Sequence, residues 1–329
     1  MASAGHPSAV SLDTVRRVGA GLNRPECVLA TAGGDLYTAD WRGGIAHLRT
    51  DGSQVLYAGS LPGGRPARPN GIALRRDGSF LFADLGAEKG GVFALDRQGS
   101  VQPFLLEVEG VALPPSNFVL DTGDGRVWLT VSTRHVPRAL GYRGHVADGF
   151  IVLADAAGAR VVADNLGYTN EVALDPSRRW LYVNETFARR TSRLPVRADG
   201  SLGRPEVFVE YGQGTFPDGL AFDEEGHLWV VSIISNRVLR IAPDRSISLL
   251  LEDADPEHLE RVERAYADGT LGREHLDNVH SRKLRNVSSI AFGGPDRRMA
   301  YLGCLLDDAI YAFPSPVAGL APAHWNWPS

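Results

Sequence analysis

Cysteine, long hydrophobic runs and excess positive charge are all scarce in this chain. The 329 residues include two cysteines, Cys27 and Cys304, which excludes a disulfide framework and a cysteine-rich zinc site. No apolar run approaches the roughly 20 residues that a membrane-spanning helix needs. The net charge of −5, from 34 Lys and Arg against 39 Asp and Glu, argues against a dedicated nucleic-acid-binding protein.

The amino terminus, MASAGHPSAVSLDT, lacks the basic and apolar regions of a signal peptide. We therefore expect a soluble, cytoplasmic protein that acts on a small molecule and binds neither membranes nor nucleic acid. The sequence leaves the oligomeric state open. The 37 glycines and 20 prolines are spread along the chain, which favours many short elements joined by tight turns.

One pattern recurs six times in the sequence: a small polar pair, an alternating apolar run, a turn and a second alternating run. The clearest copies are PNGIALRRDGSFLFAD, SNFVLDTGDGRVWLTV, TNEVALDPSRRWLYVN and PDGLAFDEEGHLWVVS. Each copy is typical of a β-hairpin, and strand-like runs between copies give about four strands in about 45 residues, the size of a propeller blade. The sequence therefore predicts an all-β fold, a six-bladed β-propeller with four-stranded blades, as one domain over residues 1–329.

Segments outside the repeat have separate predicted roles. The strand-like residues 14–18 precede the first hairpin and are expected to complete the last blade, which closes the ring. Residues 253–285 form an insert before the last blade. Asp255 as N-cap, Pro256 at the first helical position and a stop at Gly269 predict one short helix, followed by a polar loop over 275–285. The insert is placed to act as a lid, and a tail over about 314–329 follows the last blade.

A polar residue stands near the start of every copy, although the residues after it are apolar. This position is occupied by Glu26, Asn70, Asn117, Asn170, Asp218 and Ser288. Because the first strand of a blade lies nearest the axis, these side chains are expected to meet at one end of the ring. Carboxylates and amides buried together need a counter-charge, which one divalent cation (Ca²⁺, Mg²⁺, Mn²⁺ or Zn²⁺) would supply. The alternative is that these residues cap strand ends or bind water in the channel.

Loops that follow the second strands are expected at the same end of the ring. The loop over residues 132–149 is basic, and Arg134 and His135 lie nearest its strand, as candidates for binding an anionic substrate or a product carboxylate. The alternative is a solvated basic loop. Asn70 in the polar set and Asn184, after the second strand of the fourth blade, are further candidates for contact with the substrate.

Three phrases, SNFVLDTGDGRVWLT, TNEVALDPSRRWLYVNET and PDGLAFDEEGHLWVV, follow one another at blade spacing. Together with the segment around Glu26 they resemble the regucalcin and gluconolactonase family of senescence-marker-protein-like lactonases, over about residues 25–302. The resemblance implies a six-bladed propeller with one divalent metal near the axis. It implies Glu26, Asn170 and Asp218 as metal ligands, Asn117 as a substrate contact and Asp218 also as the general base.

The activity expected from this resemblance is hydrolysis of a sugar-derived or other small lactone by metal-activated water. The chain departs from the family at Pro115, where arginine is usual, and at Phe118 and Val119, where Asp-Gly is usual. The insert is also longer, so the substrate stays open. Two alternatives remain: a metal-dependent lyase or isomerase acting on a small cyclic metabolite, and a non-enzymatic metal-binding propeller.

Overall fold

Six four-stranded antiparallel sheets form a closed ring in the structure, a computed structural model that describes residues 10–327. The first strand of each blade contacts the first strands of both neighbouring blades, so the six strands surround one axis. The predicted six-bladed all-β propeller is confirmed. The ends of the predicted domain, residues 1–9 and 328–329, lie outside the described residues.

The strands of each blade follow one another in the chain, except that the chain's first strand, β1 (Arg16–Val18), belongs to the last blade. Blade one contains β2 (Val28–Ala30), β3 (Leu36–Asp40), β4 (Gly44–Leu48) and β5 (Gln54–Ala58). Blade two contains β6 (Pro69–Leu74), β7 (Phe80–Asp84), β8 (Val92–Leu95) and β9 (Val101–Leu105). A short hairpin of β10 (Glu107–Val108) and β11 (Val111–Ala112) follows.

Blades three to six continue in the same way. Blade three contains β12 (Phe118–Asp121), β13 (Val127–Val131), β14 (Gly149–Asp155) and β15 (Gly158–Leu166). Blade four contains β16 (Thr169–Leu174), β17 (Trp180–Glu185), β18 (Arg190–Pro195) and β19 (Glu206–Glu210). Blade five contains β20 (Phe216–Phe222), β21 (Leu228–Ile233), β22 (Arg237–Ile241) and β23 (Ile247–Leu251). Blade six contains β24 (Val287–Gly293), β25 (Met299–Cys304), β26 (Ile310–Pro314) and β1.

The hydrophobic core lies between blades rather than inside one layer. The second strands β3, β7, β13 and β21 are buried at every position, because each blade packs a face against each neighbour. Trp128 of β13 and Trp229 of β21 are among the largest fully buried side chains. The outer strand β9 is mainly exposed.

Segments near both ends of residues 10–327 contribute to closing the ring. Strand β1 pairs antiparallel with β26, as predicted for residues 14–18, so blade six is built from the two ends of the described chain. After β26 the tail crosses the end of the ring where the turns between first and second strands lie. Trp325 accepts from the Ala32 amide, and the Trp327 indole donates to the Arg75 carbonyl.

The insert before blade six contains two helices among the described residues. Helix α1 (Pro256–Ala267) begins as predicted, with the Asp255 carboxylate accepting from two amides of its first turn. Val262 of α1 is fully buried. A second helix, α2 (Arg273–Asp277), occupies part of the segment that was predicted to be loop, and Leu276 buries it against the ring. No helix within residues 10–327 is long and apolar enough to cross a bilayer.

The polar set sits where four of the first strands are irregular. The pairing register shifts between Pro69 and Ile72 in β6, between Thr169 and Val172 in β16, and likewise at the starts of β20 and β24. A bulge redirects a side chain without breaking the strand. The irregularity lets these residues depart from strict alternation, while the apolar residues after them stay in the core.

Candidate functional site

Five of the six aligned polar residues line one cavity at the end of the ring where the first strands begin, which we call the site face. They are Glu26, Asn70, Asn117, Asn170 and Asp218, contributed by blades one to five. All five are buried. Ser288 of blade six instead donates a hydrogen bond from its hydroxyl to the Glu26 main-chain oxygen, 2.8 Å away, and so fixes the backbone at Glu26.

A chain of amide hydrogen bonds links the members of this set. The Asn70 side-chain nitrogen donates to Glu26 Oε1 at 3.0 Å and to Asn117 Oδ1 at 2.5 Å. Asn117 in turn donates to Asn170 Oδ1 at 3.0 Å, and Asn170 donates to the Thr186 hydroxyl at 3.0 Å. The side-chain nitrogens of all three asparagines are therefore engaged as donors, and the atoms of the set that lack a partner are oxygens.

Three of these oxygen atoms have no hydrogen-bond partner: Glu26 Oε2, Asn70 Oδ1 and Asp218 Oδ1. A buried polar atom without a partner carries a desolvation cost, commonly about 1–3 kcal/mol and more for a charged group. Carboxylate and amide oxygens are the ligands that hard divalent cations prefer. The donor set fits a divalent cation, although among residues 10–327 no three His, Cys, Asp or Glu side chains form a metal site by themselves.

Burial dominates the electrostatics of the two carboxyl groups of the set. Burial raises the pKa of Glu26 to about 7, against the opposing charges of Arg24 and Arg138. Burial, reinforced by the nearby Glu26, also raises the pKa of Asp218 well above its usual range. A dication among these groups would favour their ionised forms.

Glu171 is a third buried carboxyl that the sequence reasoning missed. It follows Asn170 and faces the opposite way, into the channel below the site, where its Oε2 accepts from the Leu220 amide at 3.3 Å. Burial and the charges of Glu26 and Asp218 raise its pKa well above the usual range. Its place beside Asn170 in the repeat is the signal that could have identified it.

Asn184 lies behind the cavity rather than in its wall. Its nitrogen donates to the main-chain oxygens of Asp218 and Gly219, at 2.9 and 3.3 Å, and its Oδ1 accepts from Thr191. Asn184 is fully buried. These contacts fix the backbone that carries Asp218 and leave the side chain no atom for a substrate.

Arg134 and His135 are also outside the cavity. Arg134 forms a two-bond ion pair with Asp164, at 2.8 and 3.0 Å, and lies over the Phe150 ring. His135 is exposed on the loop, 3.9 Å from the Asp148 carboxylate. The structure does not bring either side chain to the polar set, since their partners hold them on the outside of blade three.

Three other arginines line the cavity instead: Arg24, Arg138 and Arg273. Arg24 stands two residues before Glu26, in the left-handed region with φ 52°. Arg138 begins a 3-10 helix over Arg138–Gly141, in the same loop as Arg134. Arg24 lies two residues before Glu26, and in an extended chain such residues point the same way, so this spacing could have identified it. The positions of Arg138 and Arg273 are set by how their loops fold, which the sequence pattern does not show. Tyr142 and Tyr168 complete the wall beside them.

Comparisons with known proteins agree with the architecture. Residues 8–250 match the family model described as the SMP-30/Gluconolactonase/LRE-like region. A 6-deoxy-6-sulfogluconolactonase from Pseudomonas putida is 31% identical over 238 residues, which cover 70% of this chain and 67% of that relative. Lactonase drp35 from Staphylococcus aureus is 26% identical over 178 residues, so this chain spans about half (53%) of that relative's length and 53% of its own. The solved structure of a calcium-binding protein, regucalcin, from Agrobacterium tumefaciens superposes with a TM-score of 0.63 at 17% identity, over 92% of this chain and 94% of that one.

Proposed function

Because the chain belongs to the SMP-30/gluconolactonase/LRE-like family, we propose that it is a hydrolase that opens a small lactone with the help of one divalent cation. Two relatives named as lactonases support the reaction class. The observation that carries the proposal is the convergence of Glu26 Oε2, Asn70 Oδ1 and Asp218 Oδ1, all buried and without partners, in one cavity.

Glu26, Asn170 and Asp218 are the residues we assign to hold the cation. They supply two carboxylates and one amide oxygen, which leaves coordination positions for water and substrate. The solved neighbour named as calcium-binding makes Ca²⁺ a reasonable first ion to test, alongside Mg²⁺, Mn²⁺ and Zn²⁺. When bound, such a cation acts as a Lewis acid toward a carbonyl oxygen and increases the acidity of water.

Asp218 is the residue we assign to remove the proton from the attacking water. Its Oδ1 faces the cavity without a partner, so it can accept that proton. The hydrogen bond from Asn184 to its main chain keeps the carboxyl group in place. We assign Asn117 a positioning role, because its side-chain nitrogen already donates hydrogen bonds to the Ser132 hydroxyl and to Asn170 Oδ1. The free Oδ1 of Asn70 can accept from a substrate hydroxyl.

The wall of the cavity is shared between the ring and the insert. Phe187 and Tyr168 come from the ring, and Leu276 comes from α2 of the insert. We therefore assign the insert the role of a lid, which was expected from its position before blade six.

The experiment that tests this function joins metal analysis of the purified protein to a lactone panel read by a pH indicator. Asp218→Asn is expected to lose at least a hundredfold in turnover, and Glu26→Gln is expected to lose bound metal. Glu260→Gln, on the exposed face of α1, is the matched control and should keep both. Full metal content and turnover in both site variants would contradict the assignment.

The mass of the product separates hydrolysis from the remaining reactions of the same site. A gain of one water supports the lactonase. A product with the mass of the substrate would support an isomerase or lyase, and a chain that binds metal but converts no lactone would support a binding protein.

A further inference from the structure

The cavity that holds the polar set also contains a concentration of positive charge. Arg24, Arg138 and Arg273 line it, and they come from three separate segments: the approach to β2, the 3-10 helix of blade three, and α2 of the insert. Three guanidinium groups therefore meet above the carboxylates at the site face. None of the catalytic roles assigned above uses them.

Two of these arginines lack a carboxylate partner. Arg24 is 8% exposed, its Nε has no hydrogen-bond partner, and its guanidinium lies over the Trp41 ring at 4.6 Å. Arg138 Nε likewise has no partner, although its Nη2 donates to the Ser132 hydroxyl at 3.1 Å. Within residues 10–327, neither forms an ion pair, whereas Arg273 is paired with Asp277 at 2.7 Å.

The grouping is electrostatically costly as it stands. Arg24 and Arg138 place two guanidinium groups without carboxylate partners in one cavity, next to that of Arg273. Glu26 and Asp218 offset this charge only while no cation is bound, because a dication would neutralise both carboxylates. The charges of Arg24 and Arg138 would then have no counterpart in the cavity, and buried charges are retained where something pairs with them.

We propose that Arg24, Arg138 and Arg273 form an anion subsite, and that the lactone opened here carries a sulfonate, phosphate or carboxylate group away from its ring carbonyl. This inference rests on the proposed lactonase function. A guanidinium presents a rigid planar fork of donors that matches two oxygens of such a group, and charge-assisted hydrogen bonds of this kind are strong. The anion would complete the charge balance and turn the reacting carbonyl toward Asp218.

The sequence also offers a matched control within the same loop. Arg134 is the same residue type, four residues from Arg138, but it pairs with Asp164 outside the cavity. A general effect of positive charge on this face would involve both arginines. A subsite requires Arg138 and leaves Arg134 without influence.

The kinetic test compares one sugar lactone in two forms, with a hydroxyl or an anionic group on its terminal carbon. The anionic form, with sulfonate, phosphate and carboxylate as separate arms, is expected to have a kcat/KM at least ten times that of the neutral form. Arg138→Gln and Arg24→Gln should reduce this ratio toward one. Arg134→Gln should leave the ratio at its wild-type value.

A binding test gives a readout that does not need turnover. Methanesulfonate, methyl phosphate and acetate are titrated by calorimetry into the cation-loaded protein and into the same three variants. Binding that is lost in Arg24→Gln and Arg138→Gln but kept in Arg134→Gln supports the subsite. Equal hydrolysis of neutral and anionic lactones, with no anion binding, overturns the inference and leaves the lactonase standing. Anion binding through these arginines without hydrolysis of any lactone supports the subsite and overturns the lactonase.

Discussion

The side-chain nitrogen of Asn184 donates a hydrogen bond to the main-chain oxygen of Asp218 across 2.9 Å. The two residues belong to neighbouring blades, four and five, so this contact joins the blades directly behind the cavity. Asn184 was predicted to contact the substrate, and its position shows instead how a buried amide holds the strand that carries the proposed base. The contact fixes where the Asp218 carboxyl group points.

Replacing Asn184 by alanine is expected to lower the free energy of unfolding by about 1–3 kcal/mol, because the buried main-chain oxygens of Asp218 and Gly219 and the Thr191 hydroxyl each lose a hydrogen bond. Urea denaturation measures this loss. Cation affinity should fall as well, since Asp218 would be less well placed. A fall in affinity with unchanged stability would indicate that Asn184 is itself a ligand.

Adding a divalent cation is expected to raise the melting temperature of the wild-type protein, because the native state alone presents the assembled oxygen set. When the cation concentration is a hundred times its Kd, binding stabilises the native state by about 2.7 kcal/mol. Glu26→Gln should abolish this increase without destabilising the metal-free protein, since the glutamine side chain has nearly the same shape as the buried carboxyl group and carries no charge. Differential scanning fluorimetry with and without chelator checks both outcomes. A cation-dependent increase that survives in Glu26→Gln would remove Glu26 from the ligand set.

The architecture could be predicted because its physical causes are local. Each first strand carries alternating apolar residues, and a polar residue precedes them in the same place. Six copies of this pattern determine both the ring and the meeting point of Glu26, Asn170 and Asp218. A short turn places the second strand of each copy beside the first, so the pairing within a copy can be predicted without knowledge of distant contacts.

The arginines could not be assigned in this way. Arg134 and Arg138 are equally basic and lie in one loop, and what separates them is Asp164, thirty residues away in sequence, which pairs with Arg134. Helix α2 is five residues long and carries no strong capping signal, so Arg273 was assigned to no element. The tertiary contacts of the loops determine which charged side chains face the cavity, and these contacts cannot be predicted from the periodicity of the strands.

Lowering the pH is expected to loosen the insert through His258. Its Nε2 lies 2.8 Å from the His275 carbonyl, which joins α1 to α2. Burial lowers the pKa of His258, with repulsion from Arg261 in the same direction, while the His275 carbonyl and Asp255 oppose it. The folded pKa lies below the unfolded value of about 6.5, so the neutral form stabilises the protein above that pH. This stabilisation is lost as the pH falls from about 6.5 toward the folded pKa, by at most about 1.4 kcal/mol per pH unit.

His258→Gln is the variant that isolates this effect, because glutamine can still donate to the His275 carbonyl but cannot be protonated. The stability advantage of wild type over His258→Gln should shrink between pH 7.5 and pH 5.5 in urea titrations. His280→Gln, at an exposed position of the insert, is the matched control. An advantage that stays constant across this range would contradict the prediction.

Trp327 is expected to be a main stabilising residue of the tail. It is 7% exposed, and its ring lies 5.0 Å from that of Tyr37 and 5.4 Å from that of Phe80, on blades one and two. Trp327→Ala should lower the free energy of unfolding by about 3–5 kcal/mol. Trp325→Ala, at a half-buried position of the same tail, should cost less. Equal costs by urea denaturation would show that packing between blades is not what the tail contributes.

The pairing of β1 with β26 also bears on how the ring forms. Arg16 of β1 pairs with Ala312 of β26, so the strands that complete blade six come from distant parts of the described chain. Blades one to five each consist of strands that follow one another in sequence, so each can form from a local segment. Pairing between distant segments slows folding, so closure of the ring is expected to be a late step.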